Sequence, residues 1–513
     1  MGNAARLTED RTIKTLIDRQ RNRIGLYFGS AVVACCFVLA PNLSSAAVCD
    51  EVRLSFTQPA HRTSSAYGVA AADFNLDGYL DFAVDDAAAD VAEVVVFLGN
   101  RTGRQFRSGG GFAGGGFPLD LAVGDFNGDG YPDLATASGG TVDPHVAVLI
   151  NDGSGGFGEP ILLAATDEVR AVAVGDFNGD NNLDVAAAVY DDSSDNDAVA
   201  VFLGNGSGEF DRARKFSTDD FPVDVLPGDF NGDGIPDLAV CTYGTRKLII
   251  FQGDGTGSFA IVNSYPIDGD GSEIATADFN SDGRLDLAVG MINGVGAEIF
   301  LGAGDSRFEE AGSISFDEGK GVVAADFNGD GNVDLAAATY FGNSVDVTFG
   351  DGGGHFGSPI SFRSRNAVLP TALSSGDFNG DGKPDVVTAN FASDNAVVLL
   401  NEPGVQMRAS DTNASEPGTN TGEVRVIRAG CTTQPIVVHY TVTGTAEPGV
   451  DYEALSGTVI IPPDKAFETI SVVPLDDTIK EGAETVVLTL EANRLYDVVG
   501  KYRSATVTID DND

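Results

Sequence analysis

A nine-residue phrase, Asp-Phe-Asn-x-Asp-x-x-x-Asp, occurs seven times between residues 73 and 385. The copies begin at Asp73, Asp125, Asp176, Asp229, Asp278, Asp326 and Asp377, so successive starts lie 48 to 53 residues apart. A near-constant period of this size means one supersecondary unit repeated, because such a unit cannot bury its apolar face alone and must stack on its neighbours. Any fold for this chain has to be built from that unit.

Each copy places carboxylate or carboxamide oxygens at its first, third, fifth and ninth positions, and the seventh offers a backbone carbonyl. The first three copies supply Asp73, Asn75, Asp77, Tyr79 and Asp81, then Asp125, Asn127, Asp129, Tyr131 and Asp133, then Asp176, Asn178, Asp180, Asn182 and Asp184. The fourth and fifth supply Asp229, Asn231, Asp233, Ile235 and Asp237, then Asp278, Asn280, Asp282, Arg284 and Asp286. The last two supply Asp326, Asn328, Asp330, Asn332 and Asp334, then Asp377, Asn379, Asp381, Lys383 and Asp385. No His or Cys joins them. An all-oxygen cage with several carboxylates suits a hard cation, and a flexible loop suits Ca²⁺ better than Mg²⁺. Glycine follows the fifth position in six copies and Asn181 in the third copy, which predicts a positive φ there.

The plainer alternative is that Asp, Asn and Gly simply make good turns. Sevenfold repetition of one oxygen spacing speaks against it, as does the repulsion among three unpaired aspartates that a divalent ion removes. The start of the phrase also resembles an EF-hand loop. That motif needs a glutamate at its twelfth position, where this chain has Val84, Thr136, Ala187, Val240, Val289, Ala337 and Thr388.

The net charge of −45 argues against nucleic acid and anionic membrane as partners. Bound cations would offset part of it. Residues 1–47 read as a secretory signal: Arg19, Arg21 and Arg23 precede an apolar run from Ile24 to Ala40, and small residues lead to a cut after Ala47. A retained anchor and a lipoprotein box at Val32-Val-Ala-Cys35 are the competing readings. Cys49, Cys241 and Cys431 remain after cleavage and form no disulfide framework.

Short runs of small and β-branched residues flank every acidic phrase, such as Leu121-Ala-Val-Gly124 before it and Leu238-Ala-Val-Cys241 after it. A third run, Val199-Ala-Val-Phe-Leu203 for example, ends in a Gly-rich turn that leads to a fourth. Four short strands with tight turns make one antiparallel sheet, and seven such sheets predict an all-β, seven-bladed β-propeller over residues 48–402. The last unit lacks a fourth strand, while Phe56-Thr-Gln-Pro59 echoes Phe157-Gly-Glu-Pro160. The N-terminal strand is therefore expected to complete the last blade and hide its open edge. An open stack of repeats is the alternative. The phenylalanine at the second position of every copy, Phe74 to Phe378, reads as packing between adjacent blades.

With these residues the chain resembles the FG-GAP/VCBS repeat family, related to the propeller of integrin α-subunits. The resemblance covers about residues 48–402 and implies one Ca²⁺ at each loop. It also implies extracellular adhesion or binding, with some members attached to enzymes.

From about Val405 the acidic period stops and alternating strands take over, including Ile436-Val-Val-His-Tyr-Thr441 and Val486-Val-Leu-Thr-Leu490. Six or seven strands in residues 403–513 predict a β-sandwich. Gly449-Val-Asp-Tyr452, Ser456-Gly-Thr-Val459, Asp476-Asp-Thr-Ile-Lys-Glu-Gly482 and Ile509-Asp-Asp-Asn-Asp513 resemble the Calx-β domain. The resemblance implies a small calcium cluster held by Asp451, Asp476, Asp477, Glu481, Glu484, Asp510, Asp511 and Asp513, completed by Glu416. Lys480 and Asn512 interrupt the acidic runs, so fewer ions are expected than in the richest members. Solvated charge alone is the alternative.

Only His61, His145, His355 and His439 could serve as imidazole bases, and no hydrolase or metalloprotease signature accompanies them. The expectation is a secreted, non-enzymatic calcium-binding protein of adhesion type, binding an extracellular protein or glycan. A polysaccharide-active hydrolase or lyase and a passive spacer are the alternatives.

Overall fold

The computed structural model describes residues 54–513 apart from 57–60, 64, 87–92, 140–144, 166, 192–196, 219–220, 364–366, 417–419, 430–434, 464, 481, 494, 499–501 and 513. The expected signal segment, Cys49, Cys431, Glu481 and Asp513 lie outside the described residues.

The named elements are all strands. In one repeat Pro118–Gly124 pairs with Asp133–Ser138, which pairs with His145–Leu149, which pairs with Ile161–Ala164, each time antiparallel. The acidic phrase is the turn between the first two strands, and its ninth residue opens the second. Five further sheets repeat this four-strand order. The sheet holding residues 370–401 has five strands, because Leu54–Phe56 and His61–Arg62 both pair with Asn395–Asn401. The N-terminal strand thus covers the open edge of the last repeat, as its echo of the fourth strands predicts.

Second and third strands are mostly buried, Asp133–Ser138 and His145–Leu149 along their whole length. Their runs of Ala, Val and Leu are continuous because neighbouring sheets cover both faces. One apolar cluster joins Ala135 and Val148 of the second repeat to Val172 and Val185 of the third. Another joins Phe82 and Val84 of the first repeat to Val387 and Val398 of the last.

The second-position phenylalanines stand at these junctions. Phe126 meets Phe210 of the next repeat edge to face at 5.7 Å, and Phe177 meets Phe259 in the same way at 5.6 Å. Phe378 of the last repeat meets Phe106 of the first at 6.0 Å. Edge-to-face aromatic pairs at such separations add to the apolar burial. Repeated sheets whose two ends meet fit a β-propeller.

Residues 404–510 form two further sheets. One runs Phe467–Val472, Gly422–Ala429, Gly404–Asp411, Asp497–Val498; the other runs Asn413–Ser415, Ser504–Asp510, Glu484–Leu490, Ile436–Gly444, Thr458–Ile461. Alternating residues such as Val424, Val426, Val486 and Leu488 point into one shared core. This fits a β-sandwich. Strand Gly404–Asp411 opens the sandwich, ahead of the alternating runs quoted from the sequence. Among the described residues no helix is long and apolar enough to cross a membrane.

Candidate metal centres

The seven acidic loops share one hydrogen-bond plan. The backbone N–H of the fifth position donates to both the first-position carboxylate and the third-position carboxamide. In the second loop Asp129 N donates to Asp125 Oδ1 at 3.1 Å and to Asn127 Oδ1 at 2.9 Å. Asp77, Asp180, Asp233, Asp282, Asp330 and Asp381 do the same with their own first and third residues. The sixth N–H donates to the other first-position oxygen, as Gly130 does to Asp125 Oδ2 at 2.8 Å. The seventh N–H donates to the fifth carboxylate, as Tyr131 does to Asp129 Oδ1 at 2.9 Å. One shared donor therefore gathers the oxygens of the first and third residues side by side.

Backbone geometry explains the small residues. The sixth position has φ between 66° at Asn181 and 90° at Gly331, as expected. The fourth position is left-handed too, with φ from 52° at Leu76 to 78° at Gly232. This second requirement was missed, although glycine at Gly128, Gly179, Gly232, Gly329 and Gly380 signals it.

The ninth-position aspartates differ from the rest of the loop. Asp81, Asp133, Asp184, Asp237, Asp286, Asp334 and Asp385 are fully buried. Asp133 Oδ2 accepts Phe126 N–H at 2.9 Å, and Oδ1 accepts Asn151 N–H at 2.7 Å from the turn after the third strand. Burial pushes these carboxyls upward, and the neighbouring fifth and first carboxylates add to the effect while the N–H bonds oppose it. Asp133 and Asp184 rise to about 6, and Asp81 and Asp334 to about 7. Asp237 and Asp286 shift the same way, and Asp385 is driven well above the usual range.

The donor set fits calcium. It is all oxygen, it carries three carboxylates per loop, and the buried ninth one is burdened by its negative neighbours. Among the described residues no three such side chains close on one centre. Each carboxylate instead rests on backbone N–H groups, the arrangement repulsion favours. Two loops bring a cation of their own: Arg284 Nη1 lies 3.6 Å from Asp282 Oδ2, and the ammonium of Lys383 offsets part of the rise that burial imposes on Asp381.

In the sandwich, strand pairing brings several expected residues to one end. Ser415 pairs with Asp510, and Glu416 N–H donates to the Asp510 carbonyl at 3.2 Å. Leu475 N–H donates to the Asp451 carbonyl at 2.9 Å, beside Asp476 and Asp477, and Asn512 Nδ2 reaches Asp476 Oδ1 at 3.1 Å. Glu484 stands opposite Ile509, next to Asp510 and Asp511. The Asp451 side chain turns back on Glu447 N–H at 2.6 Å.

A charged set on the first strands went unrecognised in the sequence. Asp120 Oδ2 accepts Val172 N–H of the next repeat at 3.0 Å, and Asp224 Oδ2 accepts Ile274 N–H of the next at 2.7 Å. Thr371 Oγ1 closes the last repeat on the first by donating to the Ala66 carbonyl at 3.1 Å. Burial raises Asp120 to about 6 and Asp224 to about 7, and it drives Glu273, and Asp85 on the second strand Asp81–Asp86 of its repeat, well above their usual range. Lys320 Nζ sits 5.5 Å over the Tyr67 ring and 5.1 Å over Tyr340, and burial lowers it to about 8. Strand register slips beside most of these residues, for instance between Pro118 and Asp120, so no simple alternation marks them.

Comparison with known proteins agrees with the repeat geometry. The FG-GAP-like repeat family model matches residues 125–187, 176–240, 229–289 and 326–388, and the Calx-beta domain model matches 401–513. Among solved structures, BBS1N in complex with ARL6DN is 13% identical, with 68% of this chain and 97% of that chain covered and a TM-score of 0.49. The apo-form Calx CBD1 domain is 25% identical over 21% of this chain and 98% of that chain, with a TM-score of 0.19. The calcium binding domain CBD12 of CALX1.1 is 25% identical over 21% of this chain and 45% of that chain, with a TM-score of 0.18. Among curated proteins none is significantly similar. Overlays with scores this low leave the assignment to the family matches and the strand pairing. The chain contains FG-GAP-like repeats followed by a C-terminal Calx-beta domain.

Proposed function

We propose that this is an exported, calcium-loaded adhesion or interaction protein without enzymatic activity, binding an extracellular protein or glycan. Its repeats close as a seven-bladed propeller with about one Ca²⁺ per loop, and the Calx-beta sandwich holds a small further cluster. The observation that carries the reading is the sevenfold recurrence of one loop geometry, in which the first and third oxygens share the fifth N–H. Calcium bound there would supply the positive charge that the carboxylates lack.

The chain's own residues do the rest. First, third and fifth side chains present oxygens, and the ninth carboxylate anchors the loop to the second strand. Glycine at the fourth and sixth positions lets the backbone turn tightly enough to do so. Binding confined to the folded state then stabilises the fold.

The test is an array of matrix proteins and polymeric glycans, probed with calcium and with chelator, with product release followed in parallel. Calcium-dependent retention without turnover supports the proposal. Turnover of a glycan would move the protein to the hydrolase or lyase alternative, and neither retention nor turnover would leave it a spacer.

A further inference from the structure

From the second repeat to the seventh, the turn after the third strand is bonded in two directions. Asn151 does both with one residue. Its backbone N–H goes to Asp133 Oδ1 at 2.7 Å in its own repeat's loop, and its Nδ2 goes to the Phe74 carbonyl at 2.8 Å in the preceding loop. Asn401 likewise joins Asp385 Oδ1 at 2.7 Å to the Phe327 carbonyl at 2.6 Å. The five other repeats carry glycine at this place and keep the bond to their own ninth aspartate, as Gly204 does to Asp184 at 2.8 Å. In four of these the backward bond comes from the backbone four residues on, as Gly208 N–H donates to the Phe126 carbonyl at 3.1 Å and Ser306 N–H to the Phe230 carbonyl at 3.1 Å; in the first repeat Gly103 N–H instead donates to the Asn100 carbonyl at 3.0 Å within its own turn.

The accepting carbonyl belongs to the peptide joining the second loop position to the third. Its direction is therefore set by the same backbone that aims the first and third side chains. Hydrogen bonds weaken steeply with angle, and the phenylalanine rings pack tightly at the same junction, so a loop that rearranges must carry the next turn with it. That turn in turn holds the ninth carboxylate of the following loop.

We infer that calcium binding is cooperative between neighbouring repeats, passed from loop to turn to the next loop's ninth aspartate. The inference rests on the reading that the loops hold calcium. Coupling of this kind is reciprocal: each filled loop raises the affinity of its neighbours, by about 5-fold or more for a typical coupling.

The experiment is a calcium titration of the metal-stripped full chain by calorimetry, with bound ions counted by equilibrium dialysis. It compares the wild type with the double variant Asn151→Gly/Asn401→Gly. That variant installs the glycine found in other repeats and keeps both backbone bonds to Asp133 and Asp385. The expected result is a Hill coefficient above 1 for the wild type and a lower one for the variant, with the same number of ions. Should the double variant fail to fold, Ser306→Ala removes only the 3.2 Å bond from Ser306 Oγ to Asp237 Oδ2 of the preceding repeat and makes the same prediction. Independent binding in the wild type, or unchanged cooperativity in the variants, overturns the inference. Absence of bound calcium overturns the loop reading and this inference with it.

Discussion

The ring of Phe378, in the last repeat, meets that of Phe106, in the first, edge to face at 6.0 Å and an interplanar angle of 75°. Phe126 and Phe210 meet at 5.7 Å and 65° between two repeats consecutive in sequence. The contact between the last repeat and the first is thus made like an ordinary junction. If the ring is closed, Phe378→Ala and Phe126→Ala should each cost about 3–5 kcal/mol in urea denaturation. A loss for Phe378→Ala less than half that for Phe126→Ala would speak for an open stack.

Asp133 is buried and accepts two backbone N–H groups, one on each oxygen. Asparagine can accept with only one side-chain oxygen, so Asp133→Asn leaves a buried donor unpaired. The expected cost is about 1–3 kcal/mol in the metal-free protein. Calcium should also stabilise the variant less than the wild type. Equal calcium-induced shifts in melting temperature for the two proteins would show that Asp133 does not contribute to a metal site.

The first-strand charges set a pH dependence. Asp224 rises from its ordinary value to about 7 because it is buried near Asp120, so the folded state favours its protonated form. Its stabilising contribution is complete below the unfolded value near 4 and is lost as pH climbs through about 7. Lys320 runs the other way: lowered to about 8, its contribution is complete above the unfolded value and is lost as pH falls through about 8. In chelator, stability should fall between pH 5 and 7.5, and Asp224→Asn should flatten that slope. A variant slope as steep as the wild type would rule out Asp224 as a source.

Leu76 holds a left-handed φ of 52° at the fourth loop position and is half exposed. Five of the other copies use glycine there. Leu76→Gly should stabilise the protein by roughly 0.5–1 kcal/mol, because relief of backbone strain outweighs the lost side-chain contacts and added chain entropy. A drop in melting temperature would indicate that Leu76 packs more usefully than its exposure suggests.

The sequence made some of this legible and hid the rest for physical reasons. The oxygens at alternate loop positions, the junction phenylalanines and the returning N-terminal strand all repeat or echo a visible phrase. The partner of Asp133 does not: Asn151 follows it by 18 residues, and at the same place other repeats have glycine. A backbone N–H carries no side-chain signature. Asp120, Arg170, Asp224, Glu273 and Lys320 occupy related places near the starts of successive first strands, yet the residue type changes each time. Strand Gly404–Asp411 was overlooked because it directly follows the last repeat strand, with only Glu402 and Pro403 between them.

The central claim is that divalent cations hold the acidic loops and through them the ring. Thermal unfolding of the mature chain in calcium and in excess chelator, with bound metal counted on the same sample, tests it most directly. The account predicts about one ion per loop plus a few in the sandwich, and a melting temperature lowered by about 10 °C or more on chelation. A metal-free protein that melts at the same temperature in both buffers would contradict it.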